Sequence, residues 1–129
     1  MRCLDSDILV GILRNNEDAI KMSHKIDEEG GAFTTSINAF EILAGARLSL
    51  KQKNIDEAKK LLAKLGILNF DEKSADKASQ LLGELKKSGK IIDFKDIFIA
   101  SISIENGCKL VTRNIKDFSK IKEIAIEKW

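Results

Sequence analysis

Apolar positions along the chain fall into short runs and longer stretches with helical spacing, and the two kinds alternate. Short apolar runs predict five strands, over residues 1–5, 32–35, 66–70, 108–112 and 124–126. Helical spacing and capping signals predict six helices, over residues 7–13, 17–29, 36–48, 55–65, 72–87 and 95–105. This alternation is typical of an α/β fold in which helices cover both faces of a parallel sheet.

Polar residues follow three of the predicted strands. Asp5 ends the first strand, residues 35–36 end the second, and residues 112–114 follow the fourth. In open parallel sheets, ligands bind beyond the carboxyl ends of the strands. We therefore expect these polar residues to share one rim.

Length and composition narrow the class of protein. A chain of 129 residues fits a single domain, residues 1–129, that buries a core without disulfides. It contains no apolar run of 18 residues and no signal peptide, so we expect a cytoplasmic protein with no membrane partner. A net charge of +2 excludes a strongly basic nucleic-acid coat protein.

The cysteines and the single histidine offer little catalytic chemistry. Cys3 and Cys108 fall in predicted strands without a CxxC pair, which predicts buried thiols in a reducing compartment. His24 is the only histidine and lies in a polar helical stretch. Serine or cysteine triads, which need a positioned base, are therefore disfavoured.

Glu41 stands among apolar residues of the helix predicted over 36–48, for which Ser36 is the expected N-cap. The expected apolar stripe of this helix consists of Ile37, Phe40, Ala44 and Leu48. Spacings of three, four and seven residues place Glu41 within that stripe. A partly buried carboxylate needs compensation, either from a single lysine or arginine or from a metal or active site. We favour the second interpretation.

Asp5 and Asp96 each have a purely structural alternative. Asp5 is a suitable N-cap for the first helix. Asp93 and Asp96 have the spacing of a capping box, which makes Asp93 the expected N-cap and Asp96 a first-turn residue. The face of Asp96 continues with Ala100 and Ser103, whose small side chains leave room for an ion or a phosphate.

Taken together, the three acids predict a carboxylate pocket, with Ser36, Thr112 and Asn114 as hydrogen-bonding neighbours. Oxygen ligands of this kind suit Mg²⁺ or Mn²⁺. Metal-assisted hydrolysis of phosphodiester bonds is the chemistry that such a pocket favours.

Three blocks of sequence resemble the signature of PIN-domain ribonucleases. They are LDSDIL at 4–9, TTSINAFEILAGA at 34–46 and DIFIASISIENGCKLVTRNIKDFSKI at 96–121, and the chain ends in IEKW. The resemblance covers nearly the whole chain and is strongest to the short VapC-type toxins of toxin–antitoxin pairs. It implies a PIN-like α/β/α sandwich with a central parallel sheet.

The resemblance also implies roles for individual residues. Asp5, Glu41 and Asp96 match the metal-binding acids of the family, and Ser36 and Thr112 match hydroxyl positions near the site.

Four further residues are candidates for support of this site. Asn114 stands where many relatives carry a fourth acid, and Asn is a weaker metal ligand, so Asp93 is a candidate for the missing charge. Asp7 is a candidate to support the metal ligands without binding the metal itself, and Arg113 is a candidate for RNA binding.

The activity implied by the resemblance is endonucleolytic cleavage of RNA by a metal-activated water, leaving a 5′-phosphate. It requires Mg²⁺ or Mn²⁺, and it implies a homodimer and an antitoxin whose arginine occupies the acidic pocket.

Three alternatives remain open on the sequence. The first is a non-catalytic PIN-like module that binds RNA or protein. The second is a housekeeping RNA-processing nuclease, although this length leaves no room for a second RNA-targeting domain. The third is a phosphoacceptor receiver domain, which needs a strand-end aspartate that residues 66–70 do not supply.

Overall fold

A computed structural model describes residues 1–129 and contains the predicted alternation of strands and helices. The five strands are β1 (Arg2–Leu4), β2 (Phe33–Thr35), β3 (Gly66–Leu68), β4 (Lys109–Val111) and β5 (Ala125–Glu127). The seven helices are α1 (Ser6–Leu13), α2 (Glu17–Glu28), α3 (Ser36–Leu48), α4 (Gln52–Ala63), α5 (Glu72–Lys87), α6 (Phe94–Glu105) and α7 (Ile115–Phe118). None of these helices is both long enough and apolar enough to span a membrane.

All five strands are parallel and form one sheet in the order β3-β2-β1-β4-β5. In the centre, Leu4 of β1 lies opposite Thr34 of β2 on one side and Val111 of β4 on the other. The chain builds outward from β1 to β3 and then returns to add β4 on the other side of β1. The carboxyl ends of β1 and β4 therefore flank the point where strand order reverses, which is where open α/β sheets bind ligands.

Two apolar cores cover the two faces of the sheet, because successive residues of a strand point in opposite directions. Cys3 of β1 packs in a core with α5, α6 and α7, whereas its neighbour Leu4 packs in a core with α1 to α4. The result is the predicted α/β/α sandwich. Cys3 and Cys108 are both buried and unbridged, as expected.

The structure departs from the sequence prediction at several element boundaries. Helix α4 begins at Gln52 rather than at residue 55, because its first turn is polar and carries no apolar signal. All five strands are three residues long, so the first four are shorter than the apolar runs that predicted them, and β5 is shifted by one residue. Helix α7 was not predicted, since four residues are too few to show a helical period.

Two expectations for α3 are wrong. Thr35, not Ser36, is the N-cap, and its hydroxyl accepts a hydrogen bond from the amide of Asn38. The expected apolar stripe is not the buried face, because Phe40 is 65% exposed and Leu48 is 83% exposed. The buried residues of α3 are Asn38 and Ile42. The helix is therefore rotated relative to the prediction, with a polar residue towards the sheet.

Gly66 should be intolerant of a side chain, because Phe33 occupies the space beside it. The two residues are cross-strand partners in β2 and β3, and a Cβ at Gly66 would lie 2.6 Å from Cε1 of Phe33. We expect Gly66→Ala to lower the free energy of unfolding by about 1–3 kcal/mol in urea denaturation. The matched control is Gly83→Ala in α5, where nothing lies within 4 Å and alanine should stabilise the helix by up to about 1 kcal/mol. Equal effects of the two substitutions would contradict this account.

Candidate active site

Asp5 is the buried carboxylate at the centre of the rim. It follows β1 and is only 7% exposed. Oδ1 accepts hydrogen bonds from the amide of Ser6 at 2.8 Å and from Nδ2 of Asn38 at 3.0 Å, and Oδ2 accepts one from Oγ1 of Thr112 at 2.7 Å. Asp5 also serves as the N-cap of α1, as the structural alternative predicts. Capping and a position in the pocket are thus compatible roles of one side chain.

No lysine or arginine forms a salt bridge with Asp5. Burial raises the pKa of Asp5 to about 6, since the charged form loses its hydration. The hydrogen bond from Thr112 lowers the pKa, and the nearby charge of Asp7 raises it. The carboxylate is therefore held in a place where a cation would be favourable.

Asn38 is a site residue that the sequence analysis missed. It is fully buried, and its amide nitrogen donates both to Asp5 and to Oγ of Ser6, the latter at 2.8 Å. The hydroxyl of Thr35 donates to Oδ1 of Asn38 at 2.7 Å, which fixes the orientation of the amide. The available signal was its spacing of four residues from Ile42, which places a polar residue on the buried face of α3.

Glu41 joins this network from the next turn of α3. Oε1 accepts a hydrogen bond from Oγ of Ser6 at 2.9 Å, and Oε2 lies 3.4 Å from Nζ of Lys95. The structural alternative, pairing with one lysine, is therefore present. Ser6 links Glu41 to Asn38, so that Glu41 is connected to Asp5 through two hydrogen-bonding side chains.

Asp96 lies in the first turn of α6, behind the predicted N-cap Asp93, whose side chain accepts from the amide of Lys95. Burial raises the pKa of Asp96 to about 6, and the charge of Asp5 is the next largest cause. Its side-chain neighbour is Nδ2 of Asn114, at 3.4 Å from Oδ2. Asp96 thus carries a half-buried charge without a basic partner.

The segment after β4 connects these acids. Oγ1 of Thr112 donates to Asp5 and accepts from the amide of Asn114 at 3.0 Å, so the turn carries Asn114 towards Asp96. Asp7 accepts from the amide of Arg113 at 2.7 Å. Thr112 and Asn114 therefore contact Asp5 and Asp96, and Asp7 contacts the turn that carries them.

Three predicted residues lie outside this network, and the first is Asp93, whose side chain only caps α6. The hydroxyl of Ser36 accepts a hydrogen bond from the amide of Phe70 at 3.2 Å instead of contacting a site acid. The guanidinium of Arg113 is already engaged, because it bonds to Asp18 at 2.9 Å and stacks on the ring of Trp129 at 3.6 Å. Lys95, which the sequence did not single out, is the lysine that contacts the rim.

The chemistry of these side chains fits a hydrated divalent cation better than a fully enclosed one. No three acidic, histidine or cysteine side chains converge closely enough to hold an ion by themselves. Asp5 and Asp96 nevertheless supply two carboxylates without a basic partner, and burial and then the charge of Asp5 raise the pKa of Asp96. Mg²⁺ commonly binds through one or two carboxylates, several waters and a substrate phosphate, which matches this arrangement.

Sequence comparison finds close relatives over the full length. Ribonuclease VapC2 of Rickettsia felis is 30% identical over 128 residues, covering 98% of this chain and 96% of the relative. The tRNA(fMet)-specific endonuclease VapC of Salmonella typhimurium is 26% identical over 127 residues, with the same two coverages, 98% and 96%.

Structure comparison gives the same grouping. The complex VapBC2 of Rickettsia felis, bound to a DNA fragment from its promoter, contains a chain that matches with a TM-score of 0.88 and 28% identity, over 99% of this chain and 98% of that one. The family model described as PIN domain matches residues 2–124. The acids at the rim, the sheet order and these matches lead to one conclusion: the chain belongs to the PIN-domain family and, within it, to the VapC ribonucleases.

Proposed function

We propose that this protein is a metal-dependent endoribonuclease and the toxin of a type II toxin–antitoxin pair, with residues 1–129 acting as one nuclease domain. The observation that carries the proposal is the pair Asp5 and Asp96. Both carboxyls have a pKa raised to about 6 at the rim, and neither has a basic partner. Membership among the VapC ribonucleases supports RNA as the substrate.

Asp5 and Asp96 are the residues that would hold Mg²⁺ or Mn²⁺. When bound, such an ion lowers the pKa of a coordinated water and offsets charge that develops on the phosphate. Glu41 extends the anionic rim towards α3, and Ser6 fixes the direction of its carboxylate. Asn114 presents an amide beside Asp96, where it orients that carboxylate without adding charge.

Lys95 is better placed than Arg113 to contact the substrate. Its side chain is 52% exposed and its ammonium faces Glu41 at the rim. A phosphate that approaches the acids meets this charge, whereas the guanidinium of Arg113 is held by Asp18 and Trp129. We propose that Lys95 exchanges its weak contact with Glu41 for a contact with the RNA backbone.

One observation favours a second candidate function. Glu41 is already paired with Lys95. Because Asn114 is neutral, the rim also carries one negative charge fewer than a four-acid site. A PIN-like module that binds RNA or protein without cleaving it would tolerate both features. The cleavage assay below separates the two functions.

We propose that the antitoxin binds in the groove between α1, α3 and α4. Its apolar walls include Val10 and Leu13 from α1 and Ile42 and Ala46 from α3, around a volume of about 220 Å³. Glu41 lines the same groove. A segment lying there would bring a basic side chain, such as arginine, directly to the acidic rim. Solved VapBC complexes of relatives support a protein partner for this chain.

A second copy of the chain is proposed to cover the groove between α5 and α6. Phe70, Leu82, Phe94 and Phe98 line this groove, which has a volume of about 400 Å³. Phe94 is 60% exposed although it stacks with Phe98. Apolar surface of this kind is favourable when a partner removes it from water.

The nuclease proposal is tested by RNA cleavage with Mn²⁺ or Mg²⁺, using tRNA and labelled single-stranded RNA as substrates. We expect Asp5→Asn and Glu41→Gln each to lower the cleavage rate at least about 100-fold, and EDTA to abolish it. Glu28→Gln, which removes an exposed charge outside the site, should cleave like the wild type. Cleavage that persists in both site variants would rule out the proposed residues, and no cleavage by the wild type would favour the binding module.

Removing one charge from the rim should stabilise the metal-free protein. In EDTA at about pH 7.5, we expect Asp96→Asn to raise the melting temperature by about 4 °C, because it removes a charge that is disfavoured first by burial and then by repulsion from Asp5. The folded-state pKa of Asp96 is about 6 and its ordinary value is 3.8, so the folded protein binds more protons between these values and loses stability as pH rises. The advantage of the variant should therefore shrink as pH falls from about 6 to about 4.

Glu28→Gln is the matched control for this measurement and should change the melting temperature little at either pH. A substantial decrease for Asp96→Asn would instead make Asp96 chiefly a helix-terminal residue, whose charge favours the N-terminus of α6.

The proposed dimer should depend on the α5–α6 groove. We expect Leu82→Glu to convert a wild-type dimer to monomers, because a carboxylate would be buried without a partner. Size-exclusion chromatography with light scattering measures this directly. Leu50→Asn, an exposed position with φ of 59°, where asparagine is tolerated, serves as the control and should leave the dimer intact. A dimeric Leu82→Glu variant would contradict the assignment of this face.

A further inference from the structure

We infer that Trp129 is a positioning residue for the active site, acting through Asp7 on the turn formed by residues 112–114. The inference rests on the proposed function for its link to metal binding. Nε1 of Trp129 donates a hydrogen bond to Oδ1 of Asp7 at 2.9 Å. This contact joins residues 122 positions apart, and it connects the segment after β5 with the first turn of α1.

Asp7 is the junction between Trp129 and the turn. Its Oδ2 accepts a hydrogen bond from the amide of Arg113 at 2.7 Å and faces Oγ1 of Thr112 at 3.2 Å. No lysine or arginine side chain pairs with this carboxylate, so the amide of Arg113 and the indole N–H are its main donors. The indole N–H therefore holds one carboxylate oxygen of Asp7, and the second oxygen of Asp7 holds the turn.

When it is held in position, the turn orients the site acids. Thr112 has a single hydroxyl hydrogen, and its distance of 2.7 Å to Asp5 is shorter than its distance of 3.2 Å to Asp7. The hydroxyl therefore donates to Asp5, which leaves the amide of Arg113 as the main contact between Asp7 and the turn. Asn114, at the end of the turn, faces Asp96. A shift of the turn would move a hydrogen-bonding partner of both acids at once.

The indole of Trp129 is held on two sides. The guanidinium of Arg113 lies 3.6 Å from the ring centroid, and its Nε donates to the backbone oxygen of Trp129 at 2.9 Å. On another side the ring approaches Gly11, where a Cβ would lie 3.1 Å from Cη2. Because the ring is confined, the direction of its N–H is fixed. Simple packing against the core would need the ring but not this N–H.

Two substitutions separate the roles of the ring and of the N–H. Trp129→Phe keeps an aromatic ring for Arg113 and loses the donor, whereas Trp129→Ala loses both. We expect Trp129→Phe to restore most of the melting temperature that Trp129→Ala loses. It should not restore the position of the turn.

Two measurements report on the turn. In metal-free protein, the amide of Arg113 should exchange with solvent about tenfold faster in Trp129→Phe than in the wild type, while core amides of β1 are unchanged. Mn²⁺ affinity, measured by electron paramagnetic resonance without RNA, should weaken by roughly 3–10-fold, less than for loss of a direct partner of a metal ligand. Asp7→Ala should weaken Mn²⁺ binding as well, and adding Trp129→Phe to it should cause no further loss.

Three outcomes would overturn the inference: unchanged exchange at Arg113, full recovery of both measurements in Trp129→Phe, or additive losses in the double variant. Failure of the proposed function looks different. In that case the wild type would bind no Mn²⁺ and cleave no RNA, while hydrogen exchange at Arg113 would still decide whether Trp129 holds the turn.

Discussion

Burial of the Asp5 carboxylate is the constraint on which the other parts of the site depend. A charged group without water is costly, and here the compensation comes from donors on three separate elements. The start of α1 supplies an amide, α3 supplies Asn38 and the turn after β4 supplies Thr112. Each element must keep its position relative to β1 for these bonds to form. The central edge of the sheet is thus organised around an anion that is still incompletely compensated, as its raised pKa indicates.

The part of the site that strand order determines was predictable from the sequence. Asp5 and Thr112 each follow an apolar run, and parallel strands bring such residues to one edge. Glu41 is partly buried, as expected, although the stripe from which this was predicted is exposed at Phe40 and Leu48. Ser36 was preferred to Thr35 as a cap because two neighbouring hydroxyl residues offer the same chemistry. Local sequence cannot choose between them.

Long-range partners were not predictable, because nothing local encodes them. Lys95 reaches Glu41 across 54 positions, and Trp129 reaches Asp7 across 122. Asn38 has the appearance of an ordinary polar helix residue until the rotation of α3 is known. The resemblance to PIN-domain proteins named the acids and Thr112, but it named neither Asn38 nor Lys95, which contact Asp5 and Glu41. Those residues distinguish a set of acids from an organised pocket.

The position of Glu41 links two proposed activities physically. Its carboxylate belongs to the acidic rim and also lines the groove between α1, α3 and α4. A basic residue from a partner in that groove would therefore compete with Lys95 for the carboxylate of Glu41. Binding of such a partner would therefore change the charge at the rim without a change of fold.

Trp129 is the only tryptophan of the chain, and there is no tyrosine. Its indole contacts a guanidinium and the carboxylate of Asp7, and Asp7 also contacts the turn that bonds to Asp5. The ultraviolet emission of the folded protein therefore originates almost entirely from this one corner. The chain therefore carries its own optical reporter beside the candidate site, and changes there can be followed in the unlabelled protein.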